Sequence, residues 1–170
     1  MTRLLCSLVM MLASATVALA QGGHDFASKF MEKCEDDTAV HCVTVSPKMM
    51  EQLTKQADAS RNERMAQAIE KLKSARIVTS SVHGEGYYHI AEDLLKKNAQ
   101  RFHHDKSYKT DHAYGAFYTR KNKEGGTVEL IMLHADTKTR RLVIVNLTGD
   151  IDSEFINSLT KTLGGRTAKA

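Results

Sequence analysis

The sequence predicts an α+β fold: a single domain with an antiparallel C-terminal β-meander covered on one face by helices. Three observations carry that expectation. Apolar residues recur at helical spacing in the first part of the chain and at strand spacing from about Ser107 onward. Short polar or glycine-bearing breaks then divide the second half into four strands. A leader of 20 residues taken from 170 leaves 150, a normal size for one core. The expected organisation is a signal peptide over 1–20, one domain over 21–165 and a frayed basic tail over 166–170.

Phe26, Phe30, Met31 and Cys34 lie on one helical face, predicting a first helix over 25–35 that Asp36 and Asp37 break. Val40, Val43 and Val45 mark a short strand within 39–46. Ser46 followed by Pro47 reads as an N-cap with proline at the first helical position, and Met49, Met50 and Leu53 point inward from that helix. Ser60 and Glu63 match a capping box ahead of the stripe Met65, Ala66, Ile69 and Leu72. A second strand follows over 76–79. After the break at 83–86, Tyr87, Ile90, Ala91, Leu94 and Leu95 define a helix that could extend to Phe102. The four later strands are expected over 108–112, 116–120, 127–134 and 141–148, with turns at 114–115, 122–126 and 136–139. Gly149 permits a sharp exit from the last strand, and Asp152 caps a closing helix carrying Phe155, Ile156, Leu159 and Leu163.

The leader states an address. Arg3 gives a short positive start, 4–20 carry no charge, and Ala18-Leu19-Ala20 has the small-x-small form read by a signal peptidase. Cleavage between Ala20 and Gln21 would release a protein that works outside the cytoplasm, in the periplasm or the extracellular space. Small residues crowd the end of the apolar run and no Lys or Arg stops it, which disfavours a membrane anchor. The processed chain is not expected to span a membrane, and Gln21 stands where a lipoprotein would carry Cys.

Removing Arg3 with the leader leaves 23 basic against 20 acidic residues, mixed along the chain. Basic clusters at 96–97, 120–123 and 138–141 read as a solvated face and two hairpin tips, so no nucleic-acid partner is expected. The processed chain retains Cys34 and Cys42. Their spacing excludes a C-x-x-C redox motif, although an oxidising compartment would permit a bridge. If Val43 and Val45 face the core, alternation turns Cys42 away from Cys34, and a disulfide is disfavoured. If Val40 and Cys42 face inward, a bridge becomes feasible. The first alternative keeps two β-branched residues buried, so Val43 and Val45 are expected inward and Cys34 and Cys42 reduced or only partly oxidised.

The helix-led start, the valine strand, Ser46-Pro47-Lys48-Met49-Met50 and the segment 72–79 follow one another in a familiar order. With Leu130-Ile131-Met132-Leu133 and the run 142–152, including Gly149-Asp150-Ile151-Asp152, the chain resembles an exported bacterial family catalogued as domain of unknown function four-two-five-two. The resemblance implies an envelope location and a small α+β domain, and supplies no activity or site residues.

Catalytic signatures are missing from the sequence: no G-x-S-x-G, H-E-x-x-H, Walker loop or G-x-G-x-x-G occurs. His103-His104-Asp105 and Asp111-His112 would lie too far apart along a strand to share one ion. In an up-and-down meander, His112 and His134 would approach the same sheet end, two strands apart and near Asp136. These three are the metal candidates, yet two histidines without a third placed ligand seldom make a site. The expectation is therefore an exported, non-catalytic binding or interaction module. It would have no cofactor, and its partner would be another protein or a cell-surface component. The alternative is a hydrolase or metal-dependent enzyme using His and carboxylate groups at one end of the sheet.

Overall fold

The computed structural model describes residues 25–35, 37–46, 48–49 and 63–157. The leader, Pro47, the Ser60 capping residue, Leu159, Leu163 and the tail lie outside them. The elements are α1 (Phe26–Lys33), β1 (Val40–Val45), α2 (Glu63–Glu70), β2 (Leu72–Ser80), α3 (Gly84–Lys97), β3 (His103–Lys109), β4 (Ala113–Lys121), β5 (Thr127–Asp136) and β6 (Arg141–Ile151). The six strands form one antiparallel sheet in the order β1-β2-β6-β5-β4-β3. The four later strands make the expected meander, and the two earlier ones extend it beyond β6. This is an α+β single domain.

Alternation sorts the sheet into two faces. Val78, Ala116, Tyr118, Ile131, Leu133, Leu142 and Ile144 lie under α1 and α3. Those helices contribute Phe26, Ala27, Phe30, Tyr87, Tyr88, Ala91 and Leu95 at three- and four-residue spacings. The opposite parity, Val45, Ala75, Phe117, Leu130, Met132 and Leu147, packs with Ala68 of α2 and with Phe155 and Ile156. Helical cover thus reaches the second face as well, at the end of the sheet where β1 and β6 finish. The caps expected at Ser46 and Asp152 are present: Ser46 Oγ accepts from Met49 N–H at 3.3 Å and Asp152 Oδ1 from Phe155 N–H at 2.7 Å.

A buried polar clamp fixes α1 on the sheet. Glu129 is fully buried on β5, on the parity of Ile131 and Leu133. Its Oε1 accepts from Phe26 N–H at 2.8 Å and from Asn146 Nδ2 at 3.0 Å, while Oε2 accepts from Arg120 Nε at 2.7 Å. Asn146 Oδ1 in turn accepts from Ala27 N–H at 2.8 Å, and Asp25 Oδ1 accepts from Ser28 N–H at 2.8 Å. The first three amide groups of α1, which no helix can satisfy internally, therefore each meet a side-chain acceptor. A carboxylate suits that positive helix end, and Arg120 balances its charge.

Several boundaries differ from the sequence expectation. The third helix stops at Lys97 with Asn98 as its cap, and does not reach Phe102. The first strand of the meander starts at His103 rather than Tyr108, and the turn after it is 110–112 rather than 114–115. This is an edge strand with a bulge between His104 and Lys106, so its mostly exposed residues show no clean alternation. The last strand continues through Gly149 to Ile151. The faces of β1 also need correction. Val45 is buried as expected, but in the second cluster, while Val43 is 57% exposed. Cys42 packs against the first cluster, the one that contains Cys34. An edge strand can bury either parity, and valines alone do not say which. Both cysteines are free, and burial pushes both thiols up, away from the reactive thiolate.

Candidate functional site

His112, His134 and Asp136 lie at one end of the sheet. His134 and Asp136 share the second-face parity of β5, and His134 stands opposite Gly115. His112 lies in the 110–112 turn of the adjacent hairpin, not two strands away. It precedes Gly115 by three residues, roughly 10 Å along the strand. Its carbonyl accepts from Thr137 N–H at 2.8 Å. Among the described residues no group of three or more His, Cys, Asp or Glu is placed to hold a metal. His103-His104-Asp105 and Asp111-His112 lie at opposite ends of β3.

His134 instead pairs with Tyr108 across β4: the phenol lies 2.6 Å from Nδ1, with the rings stacked at 6.0 Å. Burial holds His134 below the ordinary imidazole value, with a smaller upward pull from Asp136, and raises Tyr108 to about 12. Both groups are therefore neutral at neutral pH, a stable resting pair rather than an activated one. His104 Nε2 lies 2.8 Å from Ser107 Oγ on the exposed edge strand, and no carboxylate among the described residues orients its other nitrogen.

The His134 shift has a consequence for stability. The unfolded imidazole takes its proton near pH 6.5 and the folded one at lower pH. The contribution is thus complete above pH ~6.5 and is lost as pH falls through the window below it. Urea midpoints should drop between about pH 7.5 and about pH 5.5, and His134→Phe should flatten that drop. An unchanged slope in the variant would assign the pH dependence to another group.

A depression lies on the other face of the same sheet end, where α3 meets the β5–β6 turn. The turn residue Arg140 has φ 57° and accepts, through its carbonyl, the N–H of Gly84 at 2.9 Å. A Cβ on Gly84 would fall 2.5 Å from the Arg141 carbonyl carbon, so only glycine lets the helix start this close. His83, the residue before α3, is left-handed at φ 53° and makes no side-chain cap bond. The resulting cleft of about 480 Å³ is lined by His83, Glu85, His89, Tyr114, Thr137 and Arg140, with Asp136 at its margin. A second groove of about 490 Å³ shares Glu85, His89 and Tyr114 and runs on to Ser107 and Lys109.

The lining of the cleft includes two imidazoles, a guanidinium, two carboxylates and the ring of Tyr114, which meets Tyr88 edge-on with centroids 4.7 Å apart. The N–H groups of Glu85 and Gly86 have no acceptor among the described residues, nor has the buried Tyr114 hydroxyl. Asp136 is held below the ordinary carboxylate range by hydrogen bonds from Thr139 first, and stays ionised. Sequence reasoning singled out 83–86 only as a break. It had no means of placing the 137–140 turn beside it.

A family model described as domain of unknown function DUF4252 matches residues 30–159. No curated protein matches the chain. Among solved structures, the chain is similar to PA94, a protein of unknown function from Pseudomonas aeruginosa. That match has 12% identity and a TM-score of 0.38, over 79% of this chain and 83% of that one. It is also similar to the Ran-binding protein Mog1p of Saccharomyces cerevisiae, at 13% identity and TM-score 0.29, over 52% of this chain and 56% of that one.

Proposed function

The chain belongs to the DUF4252 family, and we propose that it acts as an exported, non-catalytic binding module of the bacterial envelope. The leader at 1–20, with its Ala20–Gln21 cleavage site, supports export. One observation carries the binding reading: the cleft at the start of α3 gathers donors and acceptors of both signs, yet no hydrogen bond among its lining residues joins a nucleophile to a base. Recognition needs only such a fixed array of polar groups. The partner class is another protein or a cell-surface component. No helix among the described residues is long and apolar enough to cross a membrane.

Crosslinking in intact cells, followed by purification of the tagged protein from envelope fractions, tests this reading. The wild-type chain should appear there with Gln21 at its N-terminus and should capture a reproducible partner. The double variant His89→Ala, Arg140→Ala should lose most of that capture, on the order of tenfold for two polar contacts of ~0.7 kcal/mol each. Turnover of a defined substrate by the purified protein would replace this reading with an enzymatic one.

A further inference from the structure

The two edges of the sheet are built differently. On β3 the open edge carries Asp105, Lys106 and Lys109 and is bent by the bulge between His104 and Lys106, the usual defences against strand addition. On β1 the sequence Val-His-Cys-Val-Thr-Val holds no Asp, Glu, Lys or Arg. Its register with β2 runs unbroken from Val40↔Ser80 to Val45↔Ala75, without a bulge. No described strand pairs with its outer side. Val43 is 57% exposed there, directly beside Ile77 at 36%. An uncharged, regular, β-branched edge of this kind is a template for another strand.

We propose that β1 is a self-association surface, through which two copies of this chain join their sheets in antiparallel fashion. Charge decides for a second copy and for its direction. The chain enters β1 past Glu35 and Asp37 and leaves it at Lys48, all exposed. Antiparallel pairing of two copies sets the basic exit of each beside the acidic entry of the other, whereas parallel pairing sets like against like. A two-fold axis normal to the sheet keeps equal faces on equal sides, so residues of the same parity pair across it. Centring on Val43 brings the two Val43 side chains together and continues the apolar row Val43–Ile77–Val145–Met132–Phe117 from one copy into the next. The contact is independent of the cleft at the start of α3, and neither reading depends on the other.

Sedimentation equilibrium of the purified protein over roughly 1–100 μM tests it. A dimer is expected in that range. Val43→Lys should raise its dissociation constant at least ~10-fold, by placing two ammonium groups face to face. Lys48→Glu, which sets acidic groups against the acidic entry, should also weaken it. Both positions are exposed, so circular dichroism should stay at the wild-type signal, and so should the melting temperature at concentrations where each protein is monomeric. A monomer at every concentration would overturn the proposal, including one that adds a strand from a different protein at β1. A dimer indifferent to both substitutions would overturn it too.

Discussion

Replacing Glu129 by alanine is expected to destabilise the protein by about 3–5 kcal/mol, chiefly the cost of leaving its buried donors without an acceptor. The carboxylate is fully buried and collects three donors: Phe26 N–H, Asn146 Nδ2 and Arg120 Nε. Alanine leaves the first two desolvated without an acceptor, at about 1–3 kcal/mol each, and removes the counter-charge of the third. The loss should also be directional. Because Glu129 and Asn146 hold the start of α1, amide exchange in 26–33 should accelerate more than in the β5–β6 core. Glu129→Gln keeps the shape and one acceptor, so its cost should fall between wild type and alanine. Chemical denaturation with a fixed m-value measures all three. A loss below about 1 kcal/mol for alanine would mean that the clamp contributes little net stability.

Gly149→Ala is the second large effect, expected at about 2–4 kcal/mol from backbone strain and overpacking together. Gly149 has φ 146°, a region L side chains rarely adopt, inside β6 rather than after it. It pairs with Leu72 where the β2–β6 register shifts between Leu72 and Ser74. A Cβ there would lie 2.5 Å from the Lys71 carbonyl oxygen and 2.7 Å from the Leu72 Cα, and backbone cannot give way as a side-chain tip can. The bulge lets the chain pass from α2 into β2 while β6 continues to Ile151. Gly125, at φ 88° in an open hairpin tip, makes the contrast: alanine there meets no atom within 4 Å and should cost only the local strain. Equal midpoint shifts for the two alanine variants would show that the close approach at Gly149 is unimportant.

What the sequence disclosed follows from how many residues enforce each feature. Strands β4 to β6 have long alternating runs and strong turns, and α1 and α3 have apolar stripes of three or more residues, so each was legible as an element. Edge strands are under-determined: β3 hides its period behind a bulge, and β1 could bury either parity, which is how Cys42 and Val43 came to be assigned to the wrong faces. The buried clamp had a signal that pattern reading passes over. Glu129 shares its parity with Ile131, Leu133 and Ala135, and Asn146 with Leu142 and Ile144, so each is a polar group in core register that must find partners. The cleft is different in kind. Residues 83–89 and 137–140 are distant in sequence and meet only because α3 packs on β5 and β6. Periodicity carries no information about that meeting.

Amide hydrogen exchange tests most directly whether the start of α3 is where this protein meets its proposed partner. The N–H groups of Glu85 and Gly86 lack acceptors among the described residues and should exchange rapidly in the free protein. With the captured partner bound at saturation, exchange at 84–89 and 137–140 should slow. Unchanged exchange in both segments, with protection confined to other parts of the chain, would contradict it.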